Sequence, residues 1–250
     1  MRTSIVAVSY LNTTPFIYGI QQKLPGSEFE LSLEHPAKCA SVLLEGKVDI
    51  GLVPVAVLPE LEGYQIISDY CIGCNGVVET VCLYSDVPLS EIQTIYLDYQ
   101  SKTSVNLIKI LAKELWKINP TWKDAEANYI DNITGKTAGL VIGDRTFDLA
   151  EKYRYTFDLG VEWKRLTGLP FVFACWVAKK EVPNGVKTKF NEALKYGIDC
   201  KEDLISELKL ELGVDHSNYL KNRILFTAGE QGKEAISLFL KYLATPIIFS

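Results

Sequence analysis

Small polar residues gather at three points of this 250-residue chain, each where a strand-like apolar run gives way to a helix. Ser101-Lys102-Thr103-Ser104 follows the run ending Leu97-Asp98 and opens a helix expected over Ser101–Trp116. The first N–H groups of a helix have no intrahelical partner, and the helix dipole makes that end positive, so it receives anions. One Ser there would serve as an N-cap alone. Three hydroxyls within four residues make Ser101, Thr103 and Ser104 candidates for holding a carboxylate. At the second junction, Ser9-Tyr10-Leu11-Asn12-Thr13-Thr14, the Asn12 amide can cap the following helix or donate to a ligand oxygen. The third is Gly143-Asp144 after Val141-Ile142. Glycine lets a ligand approach the backbone closely, and Asp144 can cap the next turn.

Other catalytic residue types are scarce. Of the two histidines, His35 lies between a strand end and a helix start, and His216 lies in a charged stretch expected to face solvent. No H-E-x-x-H, G-x-S-x-G, G-x-G-x-x-G or G-x-x-x-x-G-K-[ST] pattern occurs, so zinc proteases, serine hydrolases, Rossmann enzymes and P-loop proteins lack their fingerprints. Nothing calls for a cofactor. Among the six cysteines, Cys71-Ile72-Gly73-Cys74 has C-x-x-C spacing, but there is no second pair to complete a zinc site. It also precedes the strand-like Val77–Leu83 instead of following a strand, so buried or reduced thiols are expected.

Charge and hydropathy narrow the classes. With 26 Lys and Arg against 31 Asp and Glu, the formal charge is −5. Without a basic cluster the chain is a poor nucleic-acid binder, because that affinity rests on Lys and Arg displacing counterions. No apolar run approaches the roughly 20 residues that span a bilayer. Met1-Arg2-Thr3-Ser4 leads directly into the strand-like Ile5–Val8, and Ser9, Asn12, Thr13 and Thr14 interrupt any apolar stretch. That pattern is not a secretory signal, so a cytoplasmic location without structural disulfides is expected.

The elements that must position these residues alternate. Strands are expected at Ile5–Val8, Phe29–Leu33, Val48–Val53, Val77–Tyr84, Thr94–Leu97, Ala138–Ile142 and Pro170–Ala178. Helices are expected at Pro15–Gln22, Ala37–Glu45, Ser101–Trp116 and Phe157–Thr167. The last seventy or so residues read as successive helices with no strong strand between them, a stretch of low strand propensity. Alternation of this kind argues for an α/β fold with mostly parallel sheets. No flexible linker separates two beads, so two lobes joined by crossover strands are expected, with Val81–Ser85 and Phe171–Val177 as the crossovers. Lobe I is then residues 1–82 plus 176–250, C-terminal helices included, and lobe II is 83–175. Small molecules bind such folds in the cleft between lobes.

Six segments in order carry a resemblance: Tyr10-Leu11-Asn12-Thr13; Asp49 to Val55; Leu97-Asp98 with Ser101 and Thr103-Ser104; Ile142-Gly143-Asp144; Asp158-Leu159-Gly160 with Glu162-Trp163; and Thr167 to Ala174 with Trp176. Together they resemble the chorismate dehydratases of the futalosine route to menaquinone, over about Arg2 to Trp176. The resemblance implies a type II periplasmic-binding-protein-like fold used as an enzyme. It implies a hydro-lyase converting chorismate to 3-[(1-carboxyvinyl)oxy]benzoate without metal or organic cofactor. The family's motif Asn corresponds to Asn12, and its crossover Ser to Thr80 in Val78-Glu79-Thr80-Val81. Thr keeps the hydroxyl and adds a methyl.

The chemistry asked of such a site is modest. Loss of the C3 hydrogen and the C4 hydroxyl makes the ring of chorismate aromatic, so the drive lies in the substrate. The protein must hold a dianion in geometry, stabilise charge developing on the ring carboxylate and help hydroxide leave. Ser101, Thr103 and Ser104 are expected to hold a carboxylate, with Gly143 and Asp144 beside it, while Asn12 and Thr80 donate to the reacting region. No general base stands out: His35, Glu79 and Asp144 qualify by position, and the family resemblance allows the substrate's enolpyruvyl carboxylate to take the proton. Two alternatives stand beside this reading. One is the 1,4-dihydroxy-6-naphthoate synthase of the same route, whose Ser-Pro-Cys-Pro-Asn-Asp type of turn and second-lobe His are absent here. The other is a non-catalytic carboxylate-binding protein, which fold alone does not distinguish.

Overall fold

Two β-sheets organise the computed structural model, which describes residues 2–149, 151–212 and 216–244. In chain order the elements begin β1 (Thr3–Val8), α1 (Thr14–Lys23), β2 (Phe29–Glu34), α2 (Pro36–Leu44), β3 (Ile50–Pro54) and β4 (Tyr64–Cys74). Next come β5 (Val81–Ser85), β6 (Thr94–Leu97), α3 (Thr103–Leu111), β7 (Thr121–Asp124), β8 (Thr137–Ile142), β9 (Tyr155–Asp158) and α4 (Leu159–Thr167). The chain closes with β10 (Phe171–Lys179), α5 (Asn184–Asp199), α6 (Lys201–Leu212), β11 (Leu225–Thr227) and α7 (Gly229–Ala244). These fall into two compact units, Met1–Gly73 with Ala174–Ala228, and Cys74–Phe173 with Gly229–Ser250.

The first unit holds a sheet ordered β11-β4-β10-β3-β1-β2. β1 runs parallel to β2 and β3, while β10 is antiparallel to β3 and β11 to β4. β3 is buried along its whole length, which is why Ile50–Val53 reads as a continuous apolar run without alternation. Edge strand β2 is buried only at Phe29 and exposed at Glu30, Ser32 and Leu33. Helix α1 is pressed against α5 through glycine. A Cβ on Gly19 would stand 2.0 Å from the Ala193 carbonyl oxygen, and one on Gly197 1.9 Å from that of Pro15. Only hydrogen fits at either position, so the contact fixes α1, and the turn before it, against the sheet.

The second unit holds a sheet ordered β7-β6-β8-β5-β9. β6 runs parallel to β7 and β8, and β5 runs antiparallel to β8 and β9. Both sheets are therefore mixed where mostly parallel sheets were expected. α7 packs in this unit: the Phe239 ring lies 5.3 Å from Phe171 and 6.3 Å from Trp163, edge-on to both. Trp163 and Phe171 thus draw the last helix into the second unit, whereas the sequence assigned all C-terminal helices to the first lobe.

Several boundaries moved for identifiable reasons. The expected strand Val77–Tyr84 begins only at Val81, because Glu79 takes a left-handed backbone with φ 66°. The expected helix Phe157–Thr167 divides at Asp158, which ends β9 and caps α4. The regular part of α3 ends at Leu111 and continues as a wide π turn over Ala112–Trp116. Strands β4, β7 and β11 carry weak apolar alternation and were not expected.

Candidate active site

In the second unit, four chain segments meet at one edge of the sheet. The parallel strands β6 and β8 both end there, β5 starts there, and β9, antiparallel to β5, ends there. The Gly143 N–H donates to the Thr80 carbonyl at 2.9 Å, so the turn after β8 sits against the loop entering β5. Gly143 has φ 69°, a left-handed conformation that glycine adopts without the Cβ clash other residues meet. Its own carbonyl accepts the Thr146 hydroxyl at 2.8 Å.

Asp98 ties this turn to the start of α3. Its carboxylate is 1 % exposed and accepts from the Gln100 N–H at 2.9 Å, the Tyr129 hydroxyl at 3.0 Å, the Ile142 N–H at 2.9 Å and the Arg145 guanidinium at 2.6 Å. A buried carboxylate persists only when paired and saturated with donors, as this one is. Burial, and next the Asp98 charge, push the Tyr129 phenol far above its usual range. The result joins the loop before α3 to the Gly143 turn. Arg145, whose guanidinium also lies 5.5 Å over the Tyr99 ring, brings a cation to this edge that motif reading missed.

The three hydroxyls at the start of α3 divide their work. Ser101 Oγ accepts the Ser104 N–H at 2.9 Å. This bond satisfies one of the free N–H groups of the first turn, and it leaves the hydroxyl hydrogen able to donate. Thr103 Oγ1 donates to the Phe173 carbonyl at 3.0 Å, tying the helix start to β10. Ser104 is buried, and on its own loop Thr80 is 1 % exposed. Asp144 is half-buried and its carbonyl accepts the Phe147 N–H at 3.1 Å.

Asp158 holds the Thr80 loop. One carboxylate oxygen accepts the N–H groups of Val78 at 2.9 Å and Glu79 at 2.7 Å, and the other those of Gly160 and Val161 at 2.9 and 3.1 Å. Burial nevertheless pushes its carboxyl above the usual value, with the backbone donors opposing. The left-handed Glu79 just before Thr80 is thus held by a side chain nearly eighty residues further on (|i−j| 79). Such local strain persists only where surrounding structure imposes it.

Asn12 belongs to the first unit, where the carboxyl ends of β1, β2 and β3 share one edge. It lies in the 3-10 turn Leu11–Thr13 that leads into α1, and is 8 % exposed. Its amide donates to the Tyr219 hydroxyl at 3.0 Å, and its carbonyl oxygen accepts the Thr13 hydroxyl at 3.2 Å. Tyr219, 207 residues downstream, had no signal in the sequence. His35 at the same edge caps α2, its Nδ1 accepting the Lys38 N–H at 3.3 Å. His216, expected to face solvent, is half-buried, and its carbonyl accepts the Leu220 N–H at 3.1 Å.

The cysteines take no part. Cys71 and Cys74 both lie on β4, three residues apart, so their side chains leave opposite faces of the strand. Both are buried and neither forms a disulfide, and burial raises the Cys74 thiol. Among the described residues, no group of three or more His, Cys, Asp or Glu could hold a metal ion, and no helix is long and apolar enough to cross a membrane. A surface depression of about 650 Å³ beside Leu89, Ile92, Trp116, Tyr155 and Phe157 contains none of the candidate residues. It opens at the other end of the second sheet.

A family model described as menaquinone biosynthesis matches residues 3–245. The chain belongs to the menaquinone-biosynthesis family. A chorismate dehydratase from Thermus thermophilus is 27 % identical over 199 residues, covering 72 % of this chain and 73 % of the relative. The family's fold extends to proteins of little sequence likeness. An Archaeoglobus fulgidus protein solved by structural genomics superposes with TM-score 0.76 at 13 % identity, covering 97 % of each chain. A Candida albicans protein described as having the generic periplasmic-binding-protein fold superposes with TM-score 0.62 at 11 % identity, over 98 % of this chain and 95 % of its own. The periplasmic aliphatic sulphonate binding protein of Escherichia coli gives 0.56 at 14 %, over 98 % and 94 %. The fold is periplasmic-binding-protein-like, as the sequence resemblance implied.

Proposed function

We propose that this protein is a chorismate dehydratase, a hydro-lyase that removes water from chorismate to give 3-[(1-carboxyvinyl)oxy]benzoate. The observation that carries the reading is the match to the menaquinone-biosynthesis family over residues 3–245, with a chorismate dehydratase among its relatives. The polar edge of the second sheet supports it, because hydroxyls, helix N–H groups and one arginine gather there. Such donors suit a carboxylate whose charge grows during reaction.

In this reading Ser101 and Ser104 donate to one substrate carboxylate at the start of α3, Thr103 fixes that start, and the Gly143-Asp144 turn borders the same ligand. Asn12 and Thr80 act on the reacting region. The C3 hydrogen leaves as a proton, its bonding pair enters the ring π system, and the C4 hydroxyl departs with its own pair, so water is the only other product. The substrate's enolpyruvyl carboxylate takes the proton. His35, Asp144 and the Thr80-flanking Glu79 are the protein alternatives, and His35 is less suited because its Nδ1 already caps α2. The reaction needs no electron acceptor, so no redox cofactor enters the scheme, and the cytoplasmic location belongs to the same reading.

The test is incubation with chorismate, followed by mass spectrometry and ultraviolet spectroscopy. A product lighter by one water supports the dehydratase. Chorismate recovered intact while bound would leave the carboxylate-binding protein instead. Asn12→Ala is expected to lower kcat by about 10²–10³-fold, the usual effect of losing a transition-state donor. Thr80→Val is expected to lower it as well, and unchanged turnover in both variants would remove Asn12 and Thr80 from the mechanism.

A further inference from the structure

We infer that Tyr219 is a positioning residue for catalysis, holding the Asn12 amide in the orientation in which it donates to substrate. The inference rests on the reading of Asn12 as a catalytic donor and extends it to a segment with no recognisable motif. Asn12 and Tyr219 are 8 % and 3 % exposed, and the amide nitrogen lies 3.0 Å from the phenol oxygen. At its other end the amide oxygen receives the Thr13 hydroxyl. The side chain is therefore held at both ends, which fixes which way the amide faces. An amide NH2 carries two hydrogens. With one directed to Tyr219, the second hydrogen of the planar group points in a set direction, and that one serves the substrate.

The backbone at Tyr219 adds an independent observation. Tyr219–Arg223 forms a π turn, closed by the Ile224 N–H donating to the Tyr219 carbonyl at 3.3 Å. Such wide turns are rare, and they recur at functional sites because they re-aim a side chain that a regular helix would point elsewhere. Here the wide turn begins at the residue whose phenol reaches Asn12. A hydroxyl needed only to satisfy a buried Asn would predict a small loss of stability and no specific effect on turnover. A positioning role predicts that the effect runs through Asn12 and falls on kcat.

The experiment is a double-mutant cycle on the full chain with chorismate as substrate. Tyr219→Phe keeps the ring and removes the hydroxyl. It is expected to lower kcat by about 10–100-fold, with KM changing less than about threefold, because misorientation of a donor acts on the transition state. In an Asn12→Ala background the same change is expected to lower kcat by less than about twofold, since the group it orients is gone. Wild-type turnover in Tyr219→Phe, or losses that multiply in the double variant, would overturn the inference. If Tyr219→Phe does not fold, fluorotyrosine at 219 retains the hydroxyl and weakens it as an acceptor. An intermediate fall in kcat is then expected, and an unchanged kcat counts against the role. Intact chorismate with the wild-type protein would instead defeat the dehydratase reading itself. The Asn12 side-chain NH2 signals, followed by nitrogen-15 NMR, still report whether Tyr219 orients the amide.

Discussion

The two junctions that carry candidate chemistry are held in different ways. Around Ser101, Gly143 and Thr80, one buried and one half-buried carboxylate gather backbone donors: Asp98 from the loop before α3 and the end of β8, Asp158 from the Thr80 loop and the start of α4. Around Asn12, a side-chain pair joins segments 207 residues apart. A carboxylate saturated by N–H groups sets backbone position, and every hydroxyl on that backbone follows. A side-chain pair sets the orientation of one amide alone. The second unit therefore presents a preformed surface of donors, and the first presents one aimed group.

The largest expected effect breaks the carboxylate side of this contrast. Asp98→Ala leaves the Ile142 and Gln100 N–H groups and the Arg145 charge without their acceptor. It is expected to destabilise the second unit by about 3–5 kcal/mol, as when one partner of a buried ion pair is removed. Chemical denaturation followed by Trp fluorescence measures it, and a loss below about 1 kcal/mol would show that Asp98 is not the organising group.

A smaller effect separates binding from capping at Ser101. Ser101→Ala removes the bond to the Ser104 N–H and is expected to lower stability by about 1 kcal/mol. If the hydroxyl also donates to a substrate carboxylate, KM rises about tenfold or more, because a hydrogen bond to a charged group contributes about 1.5–3 kcal/mol. A stability change with KM unaltered would leave Ser101 as a cap only.

The smallest effect sharpens the contrast between the units. Burial pushes the Cys175 thiol up to about 12, and burial together with the nearby Glu34 charge does the same for Cys39. Burial raises Cys74 and Cys82 as well. At pH 8 all four are protonated and unreactive, because the thiolate is the nucleophile. Cys200, half-buried, is expected to label first with a thiol reagent. In Asp98→Ala, labelling of Cys74 and Cys82 in the second unit is expected to precede that of Cys39 and Cys175 in the first. Labelling in the reverse order would contradict a lesion confined to the second unit.

Local chemistry made much of this protein readable in advance. The buried runs Ile50–Val53 and Phe171–Ala178 announced core strands because strands covered on both faces carry no alternation. The hydroxyl-rich start of α3 and the glycine after β8 announced junctions, since caps and left-handed turns demand particular residues. What local pattern could not carry was pairing at long range. β4 and β11 are strands chiefly because partners exist for their backbone groups, Tyr70 and Gly73 pairing with Thr227 and Leu225. Asp158 stands inside the expected helix Phe157–Thr167; the folded chain makes it the cap of α4 and brings Val78 and Glu79 to its second oxygen. Tyr219 and Arg145 carry no local signature at all. Which residue types stand at the strand ends follows from local chemistry, because caps, turns and strand propensity depend on near neighbours in the chain. Only the tertiary structure decided which of those ends meet, because hydrogen bonds between distant segments depend on where the whole chain has folded.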